Sequence, residues 1–118
     1  MRSAIRNVTV ISGHGSRSGE ENFTSTDKLY LLSTKEVWNG GTGKDSAEEE
    51  TRQLDYYKIN GVTASSYAAA RKSGGNWWTR TPHSGNGGIF ITVNSGGNWG
   101  MFYAADYPVM ISPAFRIA

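Results

Sequence analysis

Short blocks of apolar residues alternate with polar and glycine-rich stretches along the N-terminal part of the chain. The block Asn7–Ile11 is rich in β-branched residues and predicts a strand. The next stretch, Ser12–Gly19, contains glycine, serine and charged residues with little to bury, which predicts a flexible loop. Lys28–Leu32 is almost continuously apolar, as expected for a strand that is covered on both faces.

Three segments in the middle of the chain predict short helices. Ser33–Trp38 begins with the spacing of a capping box, in which a serine and a glutamate three residues later bond each other's backbone amides. Asp45–Lys58 begins with an acidic run, and acidic side chains in a first turn favour the helix dipole. Ser65–Lys72 is rich in alanine, ends in basic residues and precedes two glycines.

From Asn76 onward the pattern changes to a period of two, which is typical of strands. We expect strands over Trp77–Thr81, Ile89–Val93 and Asn98–Ala104, a hairpin turn over Asn94–Gly97, and a final extended segment over Val109–Ile117. Helices followed by hairpin strands predict an α+β domain with an antiparallel sheet and two or three short helices.

Length, charge and composition narrow the function classes. The 118 residues suit one small domain over 1–118, with 1–26 as a strand plus flexible loop. The net charge of +2 is too small to predict a nucleic-acid partner. The absence of cysteine excludes disulfides, thiolate metal sites and a cysteine nucleophile. No apolar run approaches the roughly 18 residues that would predict a membrane span.

Catalytic and metal-binding patterns are sparse. His14 and His83 lie far apart in the sequence, and neither has a second histidine or paired carboxylate at ligand spacing, so we expect no metal and no cofactor. No Gly-x-Ser-x-Gly element singles out a nucleophilic serine. We therefore expect a protein that is not an enzyme, with a hydrolase using His83 and a nearby serine as a minor alternative.

Aromatic and amide side chains near the C-terminus form the candidate binding surface. Trp99, Met101 and Tyr103 would share one face of a strand, although Trp99 could belong to the core instead. Tyrosine, tryptophan and asparagine supply rigid contact area together with adaptable hydrogen bonds. The candidate ligand-binding residues are His83, Asn86, Asn98, Trp99, Tyr103, Asp106 and Tyr107.

A second group of residues is expected to serve structure. It comprises Trp77, Trp78, Arg80, Pro82 and Pro113. Arg80 could pair with Asp27 or Asp55, or it could stack on an indole ring.

Four motifs occur in an order that resembles a known family. They are Asp27–Glu36 (D-K-L-Y-L-L-S-x-x-E), Thr63–Ala68 (T-x-x-x-Y-A), Trp77–Pro82 (W-W-T-R-T-P) and Ile111–Phe115 (I-S-P-A-F). The pattern is similar to a domain-of-unknown-function family of gut Firmicutes and their phages, with the signature F-L-L-S, W-W-L-R-S-P and V-R-P-A. Serine stands at position 112 where that signature has arginine.

The resemblance implies a C-type-lectin-like fold, as in formylglycine-generating proteins, and an extracellular, cell-surface or phage-particle location. An N-terminal part of the family pattern is missing. The resemblance therefore implies either a naturally minimal version of the domain or a truncated one that needs a partner or self-association to cover its sheet. Formylglycine generation is excluded because the chain has no cysteine.

The function expected from the sequence is a non-catalytic module that recognises a surface protein or glycan through C-terminal loops and strands. The alternative is a structural or assembly module, in which the aromatic surface is an interface of a homo-oligomer.

Overall fold

The structure is a computed structural model that describes residues 4–15, 21–45, 52–103 and 109–117. Within these ranges seven strands form three small antiparallel sheets, β1–β2, β3–β7 and β4–β5–β6. The strands are β1 Val8–Ser12, β2 Phe23–Asp27, β3 Tyr30–Leu31, β4 Trp77–Pro82, β5 Ile89–Val93, β6 Trp99–Tyr103 and β7 Pro113–Ala114. The helical elements are α1 Thr34–Val37, α2 Asp55–Ile59 and a single 3₁₀ turn at Ala68–Ala70.

The expected α+β, C-type-lectin-like fold is wrong, because the described residues form a mainly β structure. The two α-helices have only four and five residues. The helix predicted over Asp45–Lys58 is helical only from Asp55, with 46–51 outside the described residues, and Ser65–Lys72 contains only the 3₁₀ turn. Starting a helix fixes several residues for one hydrogen bond, so favourable side chains alone do not sustain such short segments.

The predicted strands agree more closely with the structure in the C-terminal half than the predicted helices do. Strand β5 has the predicted bounds, and β4 extends one residue beyond its predicted end. The predicted turn joins β5 to β6, with the Asn94 amide donating to the Asn98 carbonyl at 2.7 Å. By contrast, the segment Val109–Ile117 contains only the two-residue strand β7.

The core lies on one side of the three-stranded sheet. Trp77 and Val93 are directly paired between β4 and β5, and both are fully buried. The Lys72 ammonium lies 4.6 Å from the centroid of the Trp77 ring, and burial lowers the pKa of this lysine. The buried core residues are Leu32, Val37, Trp38, Tyr57, Val62, Ala70, Trp77 and Val93.

A β-bulge interrupts the pairing of β4 with β5 near the middle of β4. Trp78 pairs with Thr92 and Pro82 pairs with Phe90, so three residues of β4 lie opposite the single residue Ile91 of β5. The Thr79 hydroxyl donates to the Ile91 carbonyl at 2.6 Å and so provides a contact across the irregular part of the pair. Bulges bend a strand and redirect its side chains.

Arg80 lies within this bulge and joins the sheets. Its Nε and Nη2 donate to the Ile11 carbonyl of β1 at 3.0 and 2.9 Å. Its Nη1 donates to the Leu31 carbonyl of β3 at 2.9 Å and to the carboxylate of Glu36 in α1. Arg80 therefore connects four elements, and its acidic partner is Glu36, whereas the sequence suggested Asp27 or Asp55.

Glu36 also closes the predicted capping box. Its carboxylate accepts from the Ser33 amide at 3.0 Å, and its own amide donates to the Ser33 hydroxyl at 3.2 Å. The capping box is thus confirmed, although the helix that follows ends after one turn, at Val37. The buried carboxylate therefore both caps α1 and neutralises Arg80.

Candidate ligand-binding groove

An open groove of about 600 Å³ lies between the β1–β2 hairpin and the sheet face opposite the core. Its aromatic side chains are Phe23 from β2, Trp78 from β4 and Phe90 from β5. Phe23 is 60% exposed and Phe90 is 36% exposed, so both present apolar surface to solvent. The lining residues are Ser12, Gly13, Gly15, Phe23, Leu31, Trp78, Thr79, Arg80, Pro82, Gly87 and Phe90.

Strand alternation separates the groove from the core. Along β4 the side chains of Trp77, Thr79 and Thr81 are buried, whereas Trp78 between them is only partly buried. Successive side chains of a strand point to opposite faces, so Trp78 lies opposite Trp77. Phe90 pairs directly with Pro82, and paired residues share a face, which brings Phe90 to the groove side as well.

The hairpin forms the facing wall. Ser12 at the end of β1 pairs with Phe23 at the start of β2, so both lie at the same end of this sheet. Beyond the pair, the His14 amide donates to the Asn22 side-chain oxygen at 2.8 Å. This bond holds the chain after Gly13 against the chain before Phe23, and it thereby shapes the rim of the groove.

Arg80 brings a charge to the groove, and that charge is compensated. The side chains of Arg80 and Glu36 are each about 10% exposed, and they form an ion pair. Further hydrogen bonds of the guanidinium reach the backbone carbonyls of Ile11 and Leu31. A guanidinium with these partners stabilises the fold and offers a ligand little net charge.

The predicted binding residues divide between the two ends of the β4–β5–β6 sheet. His83 and Asn86 lie in the turn after β4, where His83 Nδ1 accepts from the Gly85 amide at 2.8 Å and Asn86 Oδ1 accepts from the Gly88 amide at 3.0 Å. Asn98 and Trp99 lie at the opposite end of the five-residue strand β5, where Trp99 pairs with Val93. A strand of that length spans about 17 Å, so one small ligand would not reach both groups.

The remaining predicted binding residues take different positions. Trp99 is partly buried and packs against the core cluster. Tyr103 pairs with Ile89 at the His83 end of the sheet, and its side chain lies outside what the structure describes. Asp106 and Tyr107 also lie outside the described residues.

The residues expected to serve structure also lie on different surfaces. Trp77 is in the core, whereas Trp78, Arg80 and Pro82 line the groove. Pro113 pairs with Leu31 in the small β3–β7 sheet. The groove is thus formed partly by residues to which the sequence assigned a structural role.

Sequence reasoning missed the two phenylalanines of the groove. Phe90 lies between Ile89 and Ile91 in an apolar run that gives no sign of which face is open, although strand parity separates it from the buried Ile91. Phe23 begins a strand that is otherwise polar, and this strand was not predicted. Its place in the groove is evident only from the structure, in which Phe23 pairs with Ser12.

The residues that the structure describes contain no group of three or more histidine, cysteine, aspartate or glutamate side chains that could hold a metal ion. No helix among them is both long enough and apolar enough to cross a membrane.

Comparison with known proteins identifies the family to which the chain is similar. The family model described as "Domain of unknown function (DUF6273)" matches residues 1–118. No curated protein and no solved structure matches the chain.

Proposed function

The chain belongs to the DUF6273 family, and we propose that it is a non-catalytic binding module that recognises a protein or glycan ligand. The observation that carries the proposal is the aromatic groove formed by Phe23, Trp78 and Phe90. Its volume falls within the range of about 300–1,000 Å³ that is usual for ligand pockets. Aromatic side chains contribute much of the binding energy at recognition sites.

The location of the groove modifies the binding surface expected from the sequence. The C-terminal part of the chain contributes Trp78, Pro82 and Phe90, while the N-terminal hairpin contributes the facing wall. Recognition would then depend on the contact between these two parts, which Arg80 maintains through Ile11.

The test is an NMR screen of the intact chain with two sets of probes, neutral oligosaccharides and short synthetic peptides. We expect ligands whose chemical-shift changes centre on the Trp78 indole and whose affinity falls about tenfold or more in Phe23→Ala and Phe90→Ala. Phe115→Ala is the matched control, because Phe115 is an exposed phenylalanine outside the groove lining. If no probe binds in a way that depends on Phe23 or Phe90, the proposal fails.

A second candidate is the assembly module, which is favoured by a different surface. Ile5, Leu29, Phe115 and Ile117 are all exposed. Ile5 pairs with Ile117 in an isolated bridge. Leu29 and Phe115 flank the paired residues Tyr30 and Ala114, so the four side chains belong to paired or adjoining segments of the chain. Sedimentation over a concentration series tests this candidate: a dimer weakened by Ile117→Asp supports it, and a monomer throughout contradicts it.

A further inference from the structure

We infer that the groove takes an uncharged, apolar stretch of extended polypeptide, rich in proline or aromatic side chains, in preference to a glycan or an ion. The inference rests on the proposed function, because it assigns a ligand class to the same groove. Three properties of the lining carry it: charge balance, polar inventory and the form of the apolar surface.

The first property is charge balance. Among the described residues that line the groove, Arg80 is the one with a formal charge, and its partner Glu36 neutralises it. A charged ligand group would lose hydration on entering, and the described lining offers it only the charge of Arg80, which is already paired with Glu36. Burying an uncompensated charge is costly, so charge complementarity favours a neutral occupant.

The second property is the polar inventory. The described lining contains no asparagine, glutamine, aspartate or glutamate. Its polar side-chain groups are the hydroxyls of Ser12 and Thr79, the indole N–H of Trp78 and the guanidinium of Arg80, which is already paired. Thr79 is almost fully buried, and its hydroxyl already donates to the Ile91 carbonyl. A sugar carries several hydroxyl groups that need directed partners, and each one left unsatisfied would cost free energy. This lining therefore disfavours a saccharide.

The third property is the apolar surface. Phe23, Trp78 and Phe90 contribute aromatic surface from three strands, and the buried Pro82 lies beside them in the lining. Such surfaces fit proline-rich and aromatic segments, because an extended proline-rich chain keeps a defined shape without internal hydrogen bonds and loses little entropy on binding. The lining glycines, including Gly13 and Gly87, lack side chains and let a ligand backbone come close to the main chain.

The experiment is selection of a random peptide display library on the intact chain, with counter-selection on Phe90→Ala. We expect the selected peptides to contain proline or aromatic residues and to lack charged residues at the positions they share. A synthetic peptide from the selection should bind about tenfold or more weakly to Phe90→Ala and Trp78→Ala, and with unchanged affinity to Phe115→Ala. Its affinity should change little between low and high salt, because no ion pair forms.

Other outcomes distinguish failure of the inferred ligand class from failure of the proposed binding function. Neutral oligosaccharides that bind in a manner dependent on Phe90, with no peptide selected, would overturn the inference and leave the binding module in place. A consensus of acidic or basic residues, or a steep salt dependence, would also overturn it. Absence of groove-dependent binding by both probe classes would end both proposals. Phe90 is exposed, so the alanine variant should keep its fold, and Phe23→Ala repeats the test from the facing wall.

Discussion

At the scale of single residues, Tyr57 shows how burial controls an ionisable group in the core. Its side chain is 6% exposed, and the Tyr56 ring lies edge-on at a centroid distance of 5.1 Å. Burial raises the pKa of Tyr57 above its usual 10.0, and the neighbouring Tyr56 raises it further. The folded chain therefore keeps this phenol protonated at a pH where the unfolded chain releases its proton.

This difference predicts how stability depends on alkaline pH. Below about pH 10 the phenol is protonated in both states and the fold incurs no loss from its ionisation. As pH rises above that value, ionisation favours the unfolded state, and the free energy of unfolding should fall. Urea unfolding over an alkaline pH series should show a shallower fall for Tyr57→Phe than for the unmodified chain.

Two comparisons make the measurement specific. Tyr56→Phe should retain most of the alkaline fall, because burial is the larger cause of the raised Tyr57 pKa. Lys72, whose pKa is lowered, changes stability in the opposite direction but is present in every variant, so its effect cancels. Parallel curves for Tyr57→Phe and the unmodified chain would contradict the assignment.

At the scale of elements, the β5–β6 hairpin depends on a glycine that no other residue can replace without strain. Gly97 has a φ of +97°, and a Cβ built there would lie 2.1 Å from the Tyr67 carbonyl oxygen. The Gly97 carbonyl also accepts a bond from Trp38 Nε1 at 3.2 Å, which ties the hairpin turn to the core. The turn is therefore packed against the body of the protein.

Gly97→Ala should destabilise the chain strongly, whereas Gly96→Ala should have little effect. The left-handed backbone alone costs an L-residue about 1–2 kcal/mol, and the contact with Tyr67 adds to it. At Gly96 the nearest atom to a new Cβ is 3.7 Å away, an ordinary contact. Urea unfolding of the two variants tests the prediction, and equal losses would contradict it.

The elements also show how far the sequence determines the fold. Local signals were sufficient for β5, for the Asn94–Gly97 turn and for the capping box at Ser33, because each depends on residues close together in the chain. They failed for the alanine-rich segment Ser65–Lys72, which contains only one 3₁₀ turn, because so short a segment without an extended buried face does not sustain an α-helix.

The groove was not predictable in the same way. It arises where the hairpin end at Ser12 and Phe23 meets the sheet face at Phe90, and these segments are far apart in sequence. No local sequence pattern indicates that the hairpin end and the sheet face lie next to each other. Likewise the sequence marked Arg80 as structural but did not identify Glu36, because that pairing depends on the bulge in β4.

At the scale of the whole molecule, the Arg80 side chain links the β4–β5–β6 sheet to the other two sheets through the Ile11 and Leu31 carbonyls. Arg80→Ala should cost about 3–5 kcal/mol of unfolding free energy, because it leaves the buried carboxylate of Glu36 without its cation. Arg52→Ala is the matched control: its ion pair with Asp55 is about three-quarters exposed, and such pairs contribute about 0–1 kcal/mol. Urea unfolding of both variants provides the comparison.

Amide hydrogen exchange would show which strands lose protection in Arg80→Ala. Arg80→Ala removes the bonds to the Ile11 carbonyl, so the amides of β1 and β2 should exchange faster, while those of β5 between its two partner strands should change less. A uniform increase over all strands, or losses of equal size in the two arginine variants, would contradict the linking role.

The adjacent tryptophans of β4 have a consequence for how this protein can change over time. Trp77 faces the core and Trp78 faces the groove, so neighbouring codons are subject to different constraints. A substitution at Trp78 or Phe90 alters the shape offered to a ligand while the buried layer behind it stays intact. Ligand preference can therefore diverge among descendants of this chain without each step first requiring a compensating change in the interior.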